Sequence, residues 1–353
     1  MIQRHGHEIV GVVVGTNPNR SLPDFFATAF ESPVVRIPSP GFVYRNGRGV
    51  DLAGTLWRIC RDLGRYRQGM SCLDGLVKER QPDVVLNFLE PVAGVWAWSR
   101  RRRGGPPVVA VGHQFLLRHP TYPSLPGTFL KRFGLERYVD VVGLCSRRLA
   151  LSFYEAKDPE EGRTVVCPPL LRQRLFEVPT ADGPHFVAYV INHGYAEDIR
   201  TWHRRNPWIP IHCFHDRPGA AEVETEDGRL FFHRLHGEKF LTLMAGSRGV
   251  VCTAGFESIS EAAYLGKPAL VVPVEGHIEQ QLNAVDAERN GLAIRRGRFD
   301  FDALIDARLS EPQARFRAWV GRAESILLQT LEGAVLESRR STIESPRRPV
   351  MAV

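Results

Sequence analysis

Six cysteines are all that this 353-residue chain contains: Cys60, Cys72, Cys145, Cys167, Cys213 and Cys252 are scattered and form no CxxC pair. That spacing is wrong for a zinc site and suits reduced thiols. No apolar run approaches the roughly 18 residues that a membrane-spanning helix needs. No secretory leader is legible, because the chain opens with the polar MIQRHGHE and its first apolar run is short. No short-period repeat is present. No basic–aromatic array accompanies the positive charge, which sets nucleic acid aside as a partner.

What remains is ordinary globular composition, 43% apolar and 24% charged, with a formal net charge of +7. A basic surface suits phosphate-bearing substrates or anionic lipid. The run Arg100–Arg103 follows the apolar stretch Pro91–Trp98 and precedes Gly104-Gly105. It reads as a helix end whose cations complement the dipole, or as a membrane-surface or acceptor-binding patch.

Strand-like runs alternate with helical patterns, which predicts parallel sheets in an α/β fold. Strands are expected at Glu8–Val14, Val34–Ile37, Val84–Phe88, Val108–Val111, Val139–Leu144 and Thr164–Cys167. Helices are expected near 50–69, 71–80 and 91–102, and a long loop over 112–135. After the proline-rich 161–184, read as a linker, the alternation restarts. Strands follow at His185–Ile191, Ile209–Phe214, Arg229–His233, Gly249–Cys252 and Ala269–Val272, with helices near 195–204, 238–246, 257–265, 278–289, 300–308 and 312–335. The expected domains are 1–160 and 185–335, with a disordered tail at 336–353.

The densest chemistry lies in 250–284, VVCTAGFESISEAAYLGKPALVVPVEGHIEQQLNA. An apolar strand ends in Thr253-Ala254-Gly255, where a helix opens. A second strand follows Gly266-Lys267-Pro268, and the loop beyond it carries His277, Glu279 and Gln280. A helix N-terminus and polar loops then converge at the carboxyl ends of neighbouring strands, where α/β sheets bind ligands. That helix start favours a phosphate.

This block resembles the donor-binding motif of GT-B glycosyltransferases. Its elements are Ala254 to Ala262, Leu265-Gly266-Lys267-Pro268, Val272-Pro273, His277-x-Glu279-Gln280 and Asn283-Ala284. It is similar to the lipid-intermediate N-acetylglucosaminyltransferase of peptidoglycan synthesis and to UDP-glycosyltransferases. A bacterial and archaeal group of glycosyltransferases, with a second-domain opening like Val187 to Tyr195, is a closer likeness. The likeness is specific over 185–293. It is fainter in the first half, at Arg4 to Glu8, Pro82 to Val85, Pro106 to Val109 and Gly112-His113-Gln114.

The resemblance implies two Rossmann-like domains facing a cleft. It also implies inverting transfer from a nucleotide-sugar, a UDP-sugar by likeness, with no resident cofactor or tightly bound metal. By position, Thr253, Ala254, Gly255, Phe256, Glu257 and Ser258 would hold the diphosphate. Glu261 would accept from the ribose hydroxyls, and Glu279 and Gln280 would hold the sugar beside His277. Two carboxylate oxygens suit a vicinal diol, and an amide both donates and accepts. Glu257 at the helix start would repel a diphosphate unless it turns away or meets the sugar. His193-Gly194, after the first strand of the second domain, would approach the phosphates through backbone N–H groups or serve as a structural turn.

Relatives begin with a strand and a Gly-rich loop that are absent here, since Met1 falls inside the helix that ends at Gly6-His7-Glu8. The expectation is that translation starts upstream of Met1; a degenerate homologue is the other explanation. Without that strand the first domain would expose two edges and apolar surface, and would fold poorly. His7 reads as a turn residue. His113 after its strand, and Glu90 after its own, are candidate bases facing the cleft. Each has a plain alternative: a backbone-bonded loop histidine, and a helix N-terminal acid. Gln114 stands at the same cleft edge. His212 and His215, three apart on a strand, would face opposite sides, which disfavours a metal site. The acceptor is an unknown sugar, lipid or small molecule, for instance of a cell-envelope glycan. The expected location is the cytoplasm, with possible peripheral contact at the inner face of the membrane. A non-catalytic nucleotide-sugar binder is the alternative function. A nucleotide-sugar 2-epimerase ranks lower, because Val274–Gln281 lacks that group's loop.

Overall fold

A computed structural model describes residues 1–16, 30–41, 43–45, 49–100, 104–159, 162–217, 219, 221–307 and 312–344. The first half contains β1 (Val12–Thr16), β2 (Val34–Pro38), β3 (Val43–Arg45), β4 (Gly49–Asp51), α1 (Leu52–Arg61), α2 (Leu63–Arg80), β5 (Val85–Asn87), α3 (Pro91–Arg100), β6 (Val108–Gly112), α4 (Phe129–Val142), β7 (Arg147–Leu151) and β8 (Thr164–Cys167). Strands β5-β6-β7-β8 form one parallel sheet and β1-β2 another. Among the described residues no strand joins β1 to β5. The break falls at the open edges of β1 and β5, and all five residues of β1 are only partly buried, whereas all five of β6 are buried. The two pieces are held by a shared apolar cluster. Leu73 and Trp96 pack there with Val13 of β1 and Val85 of β5.

The second half contains β9 (Phe186–Asn192), α5 (Ala196–Arg205), β10 (Ile211–Asp216), β11 (Val223–Thr225), β12 (Leu230–Arg234), α6 (Gly237–Ala245), β13 (Gly249–Cys252), α7 (Phe256–Leu265), β14 (Ala269–Val271), α8 (Ile278–Arg289), β15 (Ile294–Arg295), α9 (Asp302–Ile305), α10 (Pro312–Val320) and α11 (Ala323–Glu344). Its sheet runs β11-β12-β10-β9-β13-β14-β15, parallel except for β11. β9 is followed in the chain by β10 on one side and flanked by β13 on the other. The strand order therefore reverses between β9 and β13, which opens a crevice at their carboxyl ends.

Several sequence expectations need correction. Val139–Leu144 is not a strand: residues 139–142 finish α4, with Val139 and Val142 buried three residues apart. A short apolar run fits either period. The strand is instead Arg147–Leu151, whose opening arginines hide it. Residues 112–135 are not a bare loop, because a 3-10 turn covers His113–Arg118 and α4 starts at Phe129. The stretch 161–184 is more than a linker, since β8 closes the first sheet there. The strand expected from Glu8 starts only at Val12. Helix α11 returns from the second domain to the first. Its Leu327, Leu331 and Ala334 share a core with Val109 and Leu149. It continues to Glu344, so residues 336–344 are helix and not the disordered tail expected from 336. Arg101–Arg103 and 345–353 lie outside the described residues; Arg100 does end a helix.

Candidate nucleotide-sugar site

The turn after β13 is built as a cradle. Thr253 N–H bonds to Tyr189 O of β9 at 3.3 Å, which ties the turn to the strand beside it. Gly255 is the N-cap of α7, and no side chain caps the helix. The first N–H groups of α7 are therefore left for a ligand. Buried beside them is the Thr253 hydroxyl, which has no hydrogen-bond partner. An orphan buried hydroxyl costs stability unless something outside the chain satisfies it. The His193-Gly194 turn follows β9, next to β13 in the sheet, and so lies across the same crevice.

Glu261, one turn into α7, is buried and does not stand free. Arg172 grips both its oxygens, Nε to Oε1 at 2.5 Å and Nη2 to Oε2 at 2.6 Å. Arg172 also donates to Gly237 O at 3.0 Å. Neither oxygen has spent all its lone pairs. Glu257 is exposed, although surrounding protein partly desolvates its carboxyl. That desolvation, then Glu261, push its pKa up to about 7, with Arg172 opposing. A partly neutral Glu257 relieves the repulsion expected against a diphosphate.

His277 caps α8, its Nδ1 accepting from Gln280 N–H at 3.3 Å. Gln280 accepts from Val274 N–H at 2.8 Å through Oε1. Its amide oxygen thus shapes the loop, while its NH2 group remains for a ligand. Burial raises the Glu279 pKa, opposed by His277 and by Gln114.

The first domain closes over this motif. Gln114 Nε2 donates to Glu279 Oε1 at 2.8 Å, while its own Oε1 is buried without a partner. The Tyr122 hydroxyl lies 3.2 Å from both His113 Nε2 and Asn283 Oδ1, and Asn283 in turn donates to Ala254 O at 3.2 Å. The chain of contacts runs from His113 to the cradle itself. His113 is buried, stacked on Phe256 with centroids 4.1 Å apart, and its Nδ1 lies 2.6 Å from Leu151 O. Burial pushes its pKa down to about 4, so it is neutral at pH 7. It matches the plain alternative, a backbone-bonded histidine, and is buried between the two halves.

Glu90 follows β5 at the carboxyl end of the first sheet. It accepts from Ser39 Oγ and from Ala93 N–H at the start of α3, the latter at 2.6 Å. It is therefore the helix-start acid of one expectation, and burial raises its pKa. Leu89 before it sits at φ 54°, a left-handed conformation that side chains rarely adopt. Such strain concentrates at working sites. Tyr138 of α4, partly exposed, lies near Glu90 and Glu279. Burial and those two carboxylates push its phenol up to about 12.

The structure thus assembles Thr253 to Ser258, Glu261, His277, Glu279 and Gln280 with Gln114 and His113; Glu90 stands at the carboxyl end of β5, where it contacts Ser39 and Ala93. Sequence reading missed Arg172, Tyr122 and Tyr138. None lies in a recognisable motif, and each has a partner or neighbouring charge far away in the chain, Glu261 for Arg172, Asn283 for Tyr122 and Glu279 for Tyr138. His212 and His233 touch, with Nδ1 and Nε2 2.9 Å apart, but no group of three metal-binding side chains exists among the described residues.

The pattern of glycosyl transferase family 1 matches residues 2–307. The chain belongs to that family. No curated protein matches the sequence. Among solved structures, the family 1 chain is similar to UGT89C1 of Arabidopsis thaliana in complex with UDP-L-rhamnose. That match has a TM-score of 0.60 at 12% identity and covers 96% of this chain and 93% of the other. It is also similar to Medicago truncatula UGT71G1 complexed with UDP-glucose (TM-score 0.55, 13% identity, 93% and 91% covered). A third is the glycosyltransferase of kitacinnamycin (TM-score 0.52, 18% identity, 96% and 89% covered). These likenesses establish the GT-B fold, two Rossmann-like domains facing a cleft.

Proposed function

We propose that this family 1 glycosyltransferase transfers a sugar from a nucleotide-sugar, a UDP-sugar, to an acceptor hydroxyl with inversion. The observation that carries the reading is the uncapped start of α7 with the orphan Thr253 hydroxyl, set at the strand-order reversal. UDP-sugars bound to two proteins of the same fold support it. The N–H groups of α7, with the Thr253 and Ser258 hydroxyls and the His193-Gly194 turn, stabilise the departing diphosphate. Glu261, oriented by Arg172, takes the ribose hydroxyls on its remaining lone pairs. Glu279, Gln280 and the orphan Gln114 carbonyl hold the sugar, with His277 fixing their loop. Glu90, with its raised pKa, removes the acceptor proton. His113, neutral and shut in, positions the seam.

The acceptor, a sugar, lipid or small molecule, enters from the first-domain side. The six cysteines are all free thiols, which suits the cytoplasm. Isothermal titration with UDP tests the reading. The wild-type chain binds, and Glu261→Ala weakens binding about tenfold or more. Absence of binding by the folded wild-type chain refutes it. The break between β1 and β5 on the acceptor side favours a second reading, donor binding without transfer. Incubation with a panel of donors and acceptors separates the two: UDP binding with no glycosylated product supports the second.

A further inference from the structure

The interval from Pro91 to Leu135 contains no aspartate or glutamate, yet it carries seven cations: Arg100 to Arg103, Arg118, Lys131 and Arg132. At its end α4 displays the most exposed large apolar side chains of the described residues, Phe129 at 76% and Leu130 at 81%, with Phe133 at 50%. Phe129, Phe133, Arg137 and Val141 recur every four residues and so form one stripe of the helix. Val141 is also exposed, while the opposite face buries Val139 and Val142.

The nearby acids are already neutralised. Glu136 pairs with Arg132 at 2.9 Å, and Asp140 with Arg118 at 2.8 Å and Arg137 at 2.7 Å. The Arg137 guanidinium lies over the Phe133 ring, 5.3 Å from its centroid. Lys131 makes no ion pair with any described residue and stands between Leu130 and Arg132. Contiguous apolar exposure of this kind marks an interaction surface. Bare aromatic and leucine side chains beside the unpaired Lys131, with both acids of α4 engaged by arginines, complement a layer that is anionic outside and apolar beneath.

We infer that the exposed stripe of α4 docks the protein on an anionic lipid bilayer, with Phe129, Leu130 and Phe133 entering the acyl boundary and Lys131 meeting lipid phosphates. Because α4 also packs against α8, docking holds the acceptor side of the cleft close to the membrane surface. No helix long and apolar enough to cross a membrane is needed, and none exists among the described residues.

Co-sedimentation with phosphatidylcholine vesicles, with and without phosphatidylglycerol, tests this. The wild-type chain is expected to pellet with the anionic vesicles only, and less as salt rises. The variant F129S/L130S/F133S should lose about tenfold or more in partitioning, and K131E several-fold, with unchanged circular dichroism. Should the triple variant misfold, L130S and K131E decide the question alone, since both side chains are exposed. Wild-type partitioning by L130S and K131E overturns the inference, as does equal binding to neutral vesicles. So does light scattering that shows a wild-type dimer, abolished by L130S, without vesicle binding: the stripe would then join two copies of the chain.

Discussion

Thr253 and Asp286 are both buried with an unsatisfied oxygen, and they separate function from stability. Thr253→Val removes the orphan hydroxyl. It should leave stability unchanged or raise it by up to about 1 kcal/mol, while weakening UDP binding about tenfold. Thermal melts and titration on the same sample check both halves. Asp286 Oδ2 has no partner, and burial pushes this carboxyl up to about 7, opposed by Arg289. An acid whose folded pKa is raised penalises the native state from its unfolded pKa upward, until it ionises in both states. Asp286→Asn should therefore match wild type near pH 4. Its advantage should grow as pH rises and level off above pH 7, at a gain on the order of 2–4 kcal/mol. Denaturant midpoints across that range are the measurement; an advantage largest at low pH would refute the assignment.

α3 crosses α4 at close range. A Cβ on Gly94 would fall 2.7 Å from the Val142 backbone, so the helices touch with nothing between them. Gly94→Ala should force them apart at a cost of about 1–3 kcal/mol, read as a lower denaturant midpoint. The same scale shows why some elements were legible and others not. β13, the Thr253-Ala254-Gly255 turn and α7 form a local unit whose apolar strand, glycine and helix period sit side by side in the chain. β7 opens with two arginines, and the end of α4 reads as a strand. Their identities follow from which neighbours they pack on, α3 and β6, and those neighbours lie far away in sequence.

At the scale of the whole molecule, Gln114 to Glu279 and Tyr122 to Asn283 are polar contacts between the two halves, beside the stacking of His113 on Phe256. Glu279 is thus engaged by the first domain, and a ligand that used the same carboxylate oxygen would compete with Gln114 for it. Q114A/Y122F should shift the solution ensemble toward an open form, seen as a larger radius of gyration by small-angle scattering that UDP reverses. An unchanged radius would mean that the seam is held elsewhere, by α11 above all. That helix was expected within the second domain and packs on the first sheet, because its amphipathic period shows a buried face without showing which sheet it covers.

Local order alone was enough to determine most of the alternation of strands and helices and the strand–turn–helix at Thr253-Ala254-Gly255 with its ordered companions, since each depends on residues close in the chain. Only the tertiary structure decided that Arg172 grips Glu261, that His113 is shut into a seam and that α11 straps the second domain to the first. Those outcomes depend on burial and on contacts between distant segments, which no spacing along the chain encodes.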